Sequence, residues 1–126
     1  MAVLDATFLI ALERRDPAAQ RLLADVESFG GPLRIPTAVF AEILTGLPPA
    51  HRQVARSILR RGAILEPFTD ILAEIVGELQ WALRATGQEM PWHDAQVAAT
   101  ALHYREPLIS SDSVFGRVPG LEWHPH

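Results

Sequence analysis

Four acids stand where the surrounding residues alone would not put them. In "PWHDAQVAATALHY", helical spacing places Asp94 on one face with Val97, Ala98, Ala101 and Leu102, and leaves Gln96, Thr100 and His103 on the other. A carboxylate thus heads a stripe that should be buried. Asp5 and Asp112 each follow an apolar run, "AVL" and "PLIS", and Glu42 is the only charged residue between Arg34 and Arg52. Carboxylates gathered at one place repel and raise each other's pKa values unless a cation is present. The chain has no cysteine, so the cation must be held by oxygen or imidazole. Mg²⁺ or Mn²⁺ fits: such ions take one or two carboxylates directly, keep several waters and complete their shell with substrate phosphate. The corresponding chemistry is metal-assisted phosphodiester hydrolysis.

Each acid also has a plainer explanation. Asp94 and Asp112 can cap helices, the second helped by Ser110, Ser111 and Ser113. Glu42 can face solvent beside Thr45, and Asp5, with Thr7, can bond the first turn of the helix that follows it. What tips the reading toward a site is the four taken together: Asp5 and Asp112 fall to one edge of the predicted fold, and four acids gathered there would need a cation.

That fold follows from periodicity and punctuation. "AVLDA" reads as a short buried strand leading into a helix from about Thr7, and a second helix runs from Pro17 to about Phe29. After "GGP", a strand ends near Ile35, and Pro36 suits the first turn of a helix "TAVFAEILTGL". The helix "PPAHRQVARSILRRG" is closed by Gly62. "AILEPF" is a strand, and "TDILAEIVGELQWALRATG" a helix with a stripe of Leu72, Ile75, Val76, Leu79 and Leu83, into which Trp81 is expected to pack. The Asp94 helix comes next, then the strand "EPLIS", a turn or short helix "SDSVFG", and a final edge strand "LEW". Strands alternating with helices imply an α/β fold, a mainly parallel sheet between two helical layers. Ligands of such sheets gather beyond the carboxyl ends of the strands, where Asp5 and Asp112 fall.

Composition narrows the functions. The length of 126 residues and a 48% hydrophobic content fit one domain spanning 1–126 with a real core. No apolar run approaches the ~20 residues of a membrane span, and the reading is a cytoplasmic protein with no membrane partner. All the basic residues are Arg and none is Lys, which removes lysine nucleophiles and Schiff bases. It also disfavours a receiver-type phospho-signalling domain, which has a similar layout but uses a lysine near its last strand. A net charge of −4 does not advertise nucleic-acid binding. Arg52, Arg56 and Arg60 nevertheless recur every four residues and can track a phosphate backbone. The plainer reading makes them a solvated face opposite Val54, Ile58 and Leu59.

The segments "VLDATFLIAL", "IPTAVFAEILTG", "MPWHDAQVAATAL" and "LISSDSVFGRVPGLEW" together resemble, in order and spacing, the acidic motifs of PIN-domain ribonucleases, particularly VapC-like toxins of toxin–antitoxin pairs. The resemblance covers nearly the whole chain. It implies a three-layer α/β/α sandwich and an Mg²⁺- or Mn²⁺-dependent endoribonuclease leaving 5′-phosphate and 3′-hydroxyl ends. It also implies a homodimer inhibited by a small antitoxin protein. Asp5, Glu42, Asp94 and Asp112 correspond in order to the family's four acids, and Thr7 and Ser110 to the hydroxyl positions that orient the first and fourth. Ser110 stands where Thr is more usual, and Val114 where many relatives carry a further Asp. His93, beside Asp94, is a candidate RNA contact, and Trp92 can stack a base or fill a groove. His124 and His126 are expected in a frayed tail. The alternative to an enzyme is a non-catalytic module that keeps the fold and works through a protein partner.

Overall fold

A computed structural model of the chain describes all 126 residues except the side chain of Ile58. It contains five strands, β1 (Ala2–Leu4), β2 (Leu33–Pro36), β3 (Ile64–Glu66), β4 (Leu108–Ile109) and β5 (Trp123–His124). Its helices are α1 (Ala6–Glu13), α2 (Pro17–Ser28), α3 (Thr37–Thr45), α4 (Pro49–Gly62), α5 (Asp70–Arg84) and α6 (Trp92–Tyr104), with a 3₁₀ turn at Ser113–Arg117. The expected alternation is therefore present, with element ends shifted by a residue or two.

The strands form one sheet in the order β3-β2-β1-β4-β5, and every neighbouring pair is parallel. From β1 the chain steps outward through β2 to β3, then crosses back to β4 and β5 on the other side of β1. With right-handed crossovers, that reversal puts the first four helices on one face of the sheet and α5 and α6 on the other. The point of reversal lies between β1 and β4, where Val3 sits opposite Leu108 and Leu4 opposite Ile109. A crevice opens at the carboxyl ends of two strands that leave in opposite directions, and ligands of open α/β sheets bind there.

The core explains the short apolar strands. Val3, Ile35, Leu108 and Ile109 are fully buried, together with Phe8, Val39, Val76, Val97 and Phe115. On α5, the expected stripe is in place, with Leu72, Val76, Leu79 and Leu83 buried and Ile75 partly so. Trp81 does not join it: the indole is 73% exposed, because the stripe already fills the buried face and Trp81 falls outside its period. Among the described residues, no helix is long and apolar enough to cross a membrane.

On α6 the two-faced reading needs correction. Val97, Ala98 and Ala101 are buried as expected, but so are Ala95, Ala99 and Thr100. The helix packs against β1 and β2 on one side and against α5 on another, so most of its circumference is covered. Thr100 tolerates burial by returning its hydroxyl to the Gln96 carbonyl at 2.9 Å. The alanines keep the helix thin enough for both contacts. On α4, Val54 is exposed rather than buried opposite the arginines.

Beneath the C-terminal end of α6 lies a buried ionic group. Arg34 on β2 donates from Nε to Glu106 at 2.9 Å and from a terminal nitrogen to Glu66, and its guanidinium carbon is 3.8 Å from the centre of the Tyr104 ring. Tyr104 donates its hydroxyl to the second Glu66 oxygen at 2.8 Å. One arginine thereby compensates two buried carboxylates, and removing one member of a buried ionic group leaves the others uncompensated. Arg34→Leu is expected to lower stability by about 3–5 kcal/mol, measured by urea unfolding. A change of well under 1 kcal/mol would mean that the group contributes nothing to the fold.

Candidate active site

The site is built at the β1–β4 crevice. Asp5 is the residue after β1 and occupies the N-cap position of α1, but its side chain makes no capping bond. It is buried, and its Oδ2 accepts instead from the Ser110 hydroxyl at 2.6 Å. Ser110 is the residue after β4 and is wholly buried. Two parallel neighbours thus end side by side, one in a carboxylate and the other in the hydroxyl that holds it.

A small hydroxyl network extends from that bond. Thr7 Oγ1 lies 3.3 Å from Ser110 Oγ and accepts from the Ser111 N–H at 3.0 Å. Ser110 Oγ accepts from the Asp112 N–H at 3.1 Å, and its carbonyl accepts from the Trp123 indole at 2.8 Å. Asp112 is exposed, and its Oδ1 caps the 3₁₀ turn by accepting from the Val114 N–H at 3.0 Å. The capping explanation therefore holds locally for Asp112 but not for Asp5.

It does not hold for Asp94 either. No side chain caps α6, and Asp94 is its third residue, partly buried. Its carboxyl is held above the usual aspartate range, first by burial and then by the charge of Asp112. His93 opposes the rise, while Asp5 and Glu42 add to it. The charges of the other three acids all act on Asp94.

Glu42 reaches the site from α3, with Oε2 3.0 Å from His93 Nε2 on α6. One donor atom each from Asp5, Glu42 and His93 fall within 4.8 Å of one another. That spacing suits joint contact with one cation, and it gives His93 a place among the acids that its sequence context did not reveal. The residue whose place differs most from the expected frayed tail is His126. Far from fraying, its ring meets Phe8 edge-on at 5.2 Å between centroids and its Nε2 lies 3.3 Å from Thr7 Oγ1. Burial holds this imidazole below the usual histidine range. No periodic signal marks it, since the contact depends on where β5 leaves the sheet.

The arginine stripe stands apart. Arg52 Nε donates to the carbonyls of Leu44 and Leu47, at 3.2 and 3.1 Å, closing the end of α3. Arg56 meets only Gln53, at 3.4 Å, and Arg60 is exposed. Among the described residues, none of the three bonds to the acids.

A family model for the PIN domain matches residues 2–121. The chain belongs to the PIN domain family. No curated protein matches it in sequence. Solved PIN structures match it closely in shape. VapBC2 from Rickettsia felis, bound to a DNA fragment from its promoter, has a TM-score of 0.84 at 18% identity over 99% of this chain and 98% of that one. VapBC-1 from nontypeable Haemophilus influenzae has a TM-score of 0.82 at 20% identity, over 98% and 96% of the two chains. VapC20 of Mycobacterium tuberculosis, a toxin that cleaves the sarcin–ricin loop, gives 0.66 at 23% identity over 92% and 93%. At these identities the likeness is one of fold.

The electrostatics of this PIN site lead to a stability prediction. A carboxyl whose pKa is raised on folding holds its proton more tightly in the folded state, so its ionisation destabilises the fold as pH rises through the raised value. In metal-free protein, Asp94→Asn is therefore expected to raise the melting temperature near neutral pH. The gain should vanish as pH falls below 3.8, the ordinary aspartate value. An equal effect at all pH values would place its cause outside the charge.

Proposed function

We propose that the chain is a divalent-metal-dependent endoribonuclease and the toxin of a toxin–antitoxin pair. The observation that carries this reading is the grouping of donor atoms from Asp5, Glu42 and His93 within 4.8 Å of one another at the carboxyl edge of a PIN fold, where Asp94 also feels the charges of Asp5, Glu42 and Asp112. The donor set fits a hard cation. It offers carboxylate oxygen and imidazole without sulfur, and nearby Asp94 has a charge that the other acids disfavour.

In this reading Asp5 and Asp94 hold Mg²⁺ or Mn²⁺, with Glu42, Asp112 and His93 completing the site directly or through water. When bound, the ion polarises the scissile phosphate and stabilises charge on the departing oxygen. The chain's own residues set the geometry. Ser110 fixes the rotamer of Asp5, and Thr7 ties Ser110 to the turn bearing Asp112. His93 opposes the repulsion between Glu42 and Asp94, keeping both carboxylates close to the substrate's path.

RNA as substrate is supported by the fold shared with VapC20, and an antitoxin by the fold shared with the VapBC proteins. Phe29, Val54 and Ile10 leave apolar surface exposed, which suits a second protomer or an antitoxin segment. A non-catalytic module would have no use for four mutually repelling acids around one point.

Cleavage of RNA with Mg²⁺ or Mn²⁺ is the direct test. Ser110→Ala should reduce the rate about 10–100-fold, as loss of a residue that orients a ligand does. Asp5→Asn and Asp94→Asn should reduce it further, and chelation should abolish it. Full activity in a folded Asp94→Asn protein would overturn the assignment. The arginine stripe is tested separately: replacing Arg52, Arg56 and Arg60 by Gln should flatten the salt dependence of RNA binding. An unchanged slope would assign the stripe to solvent.

A further inference from the structure

At the N-terminal end of α6, the end that carries Asp94, a cavity of about 210 Å³ opens between α5 and the start of that helix. Trp81 and Trp92 line it and are 73% and 69% exposed. Neither indole is needed by the core, since α5 buries Leu72, Val76, Leu79 and Leu83, and burial on α6 begins at Ala95. The floor is rigid. Gln80 donates from Nε2 to the Met90 carbonyl at 2.7 Å, and its Oε1 accepts from the Met90 N–H at 2.9 Å, with both residues buried. Gly77 keeps the α5 side open, for a Cβ added there would meet nothing within 4 Å.

We propose that this cavity is a nucleobase subsite, taking an unstacked base of the RNA whose phosphate enters the acidic site. The inference rests on the nuclease reading and names where that substrate is gripped. Trp92 and Asp94 both stand on the first turn of α6 but point to different sides of it, so a base against the indole belongs to a nucleotide flanking the one whose phosphate meets the acids. Indole faces stack on any base, which suits a cleft that must hold single-stranded RNA. Positive charge is at hand. The guanidinium carbon of Arg84 is 5.7 Å from the centre of the Trp81 ring. Its one ion pair among the described residues, with Glu89 at 3.2 Å, is exposed and easily exchanged for a phosphate. No side chain caps α6, so the N–H groups of its first turn also favour an anion. A protein segment would call for a continuous apolar groove; this cavity is short, closed by the Gln80–Met90 pair and edged by charge, and accommodates a single planar group.

The test uses the full chain and a short single-stranded oligoribonucleotide in EDTA, followed by tryptophan fluorescence. Trp123, whose indole is bonded to the Ser110 carbonyl, supplies a background signal. Gly77→Leu is the informative variant. It fills the cavity, leaves both indoles in place, and improves helix propensity, so folding is not sacrificed. Gly77→Leu, Trp81→Ala and Trp92→Ala are each expected to weaken binding about tenfold. With Mg²⁺ or Mn²⁺, Gly77→Leu should raise KM for RNA cleavage at unchanged kcat. An oligonucleotide without bases should bind wild type and Gly77→Leu equally. Wild-type affinity for RNA in all three variants would overturn the proposal, as would unchanged RNA affinity combined with lost self-association, which would make the face a protein interface. A wild-type protein that binds RNA through these residues but never cleaves it would support the subsite and overturn the nuclease reading alone.

Discussion

The hydrogen bond from Ser110 to Asp5 joins the ends of two strands that are distant in sequence and adjacent in space. It forms because β1 and β4 are parallel neighbours in a register that sets Leu4 against Ile109, leaving the next residue of each at the same edge. β1 connects outward to β2 while β4 connects the other way, so helices leave the junction on opposite faces and a crevice remains between them. Glu42 from α3 and the start of α6 converge on it. Had β4 joined the sheet beside β3 instead, the same residues would exist without a site.

The molecule meets neighbouring carboxylates in two ways, at opposite ends of one helix. Under the C-terminal end of α6, Glu66 and Glu106 are answered by Arg34 from within the chain. At the N-terminal end, buried Asp5 and half-buried Asp94 lie with exposed Glu42 and Asp112, and His93 pairs with Glu42. Asp94 registers the difference in a carboxyl driven above its ordinary range by burial, by Asp112, and by Asp5 and Glu42. The first arrangement is a structural ionic group; the second is an electrostatic demand that a divalent cation satisfies. The α6 helix rigidly separates them, and its alanines let it approach both the sheet and α5.

The alternation of elements was legible because each strand is a short apolar run bounded by Pro, Gly or an acid, and each long helix carries a regular stripe. Asp5 and Asp112 could be assigned to one edge from chain order alone. The pairing of His93 with Glu42, the return of His126 to Thr7, and Arg34 beneath Tyr104 all join residues from separate segments, and no local period encodes such contacts. Thr100 is assigned to an outer face by position on one helix, whereas its burial depends on how many neighbours surround that helix; the exposure of Trp81, by contrast, follows the period of the α5 stripe.

The amino-acid sequence by itself determined the order of elements, the acidic motifs, the exclusion of thiol and lysine chemistry, and the PIN family that residues 2–121 match. These are properties of residue type and spacing, which backbone geometry converts directly into helix, strand and edge. Tertiary structure alone decided that Asp5 bonds Ser110 rather than capping α1, that Asp94 feels the charge of three other acids, and that two indoles stand uncovered around one cavity. Those outcomes depend on distances between segments far apart in the chain, and only packing sets them.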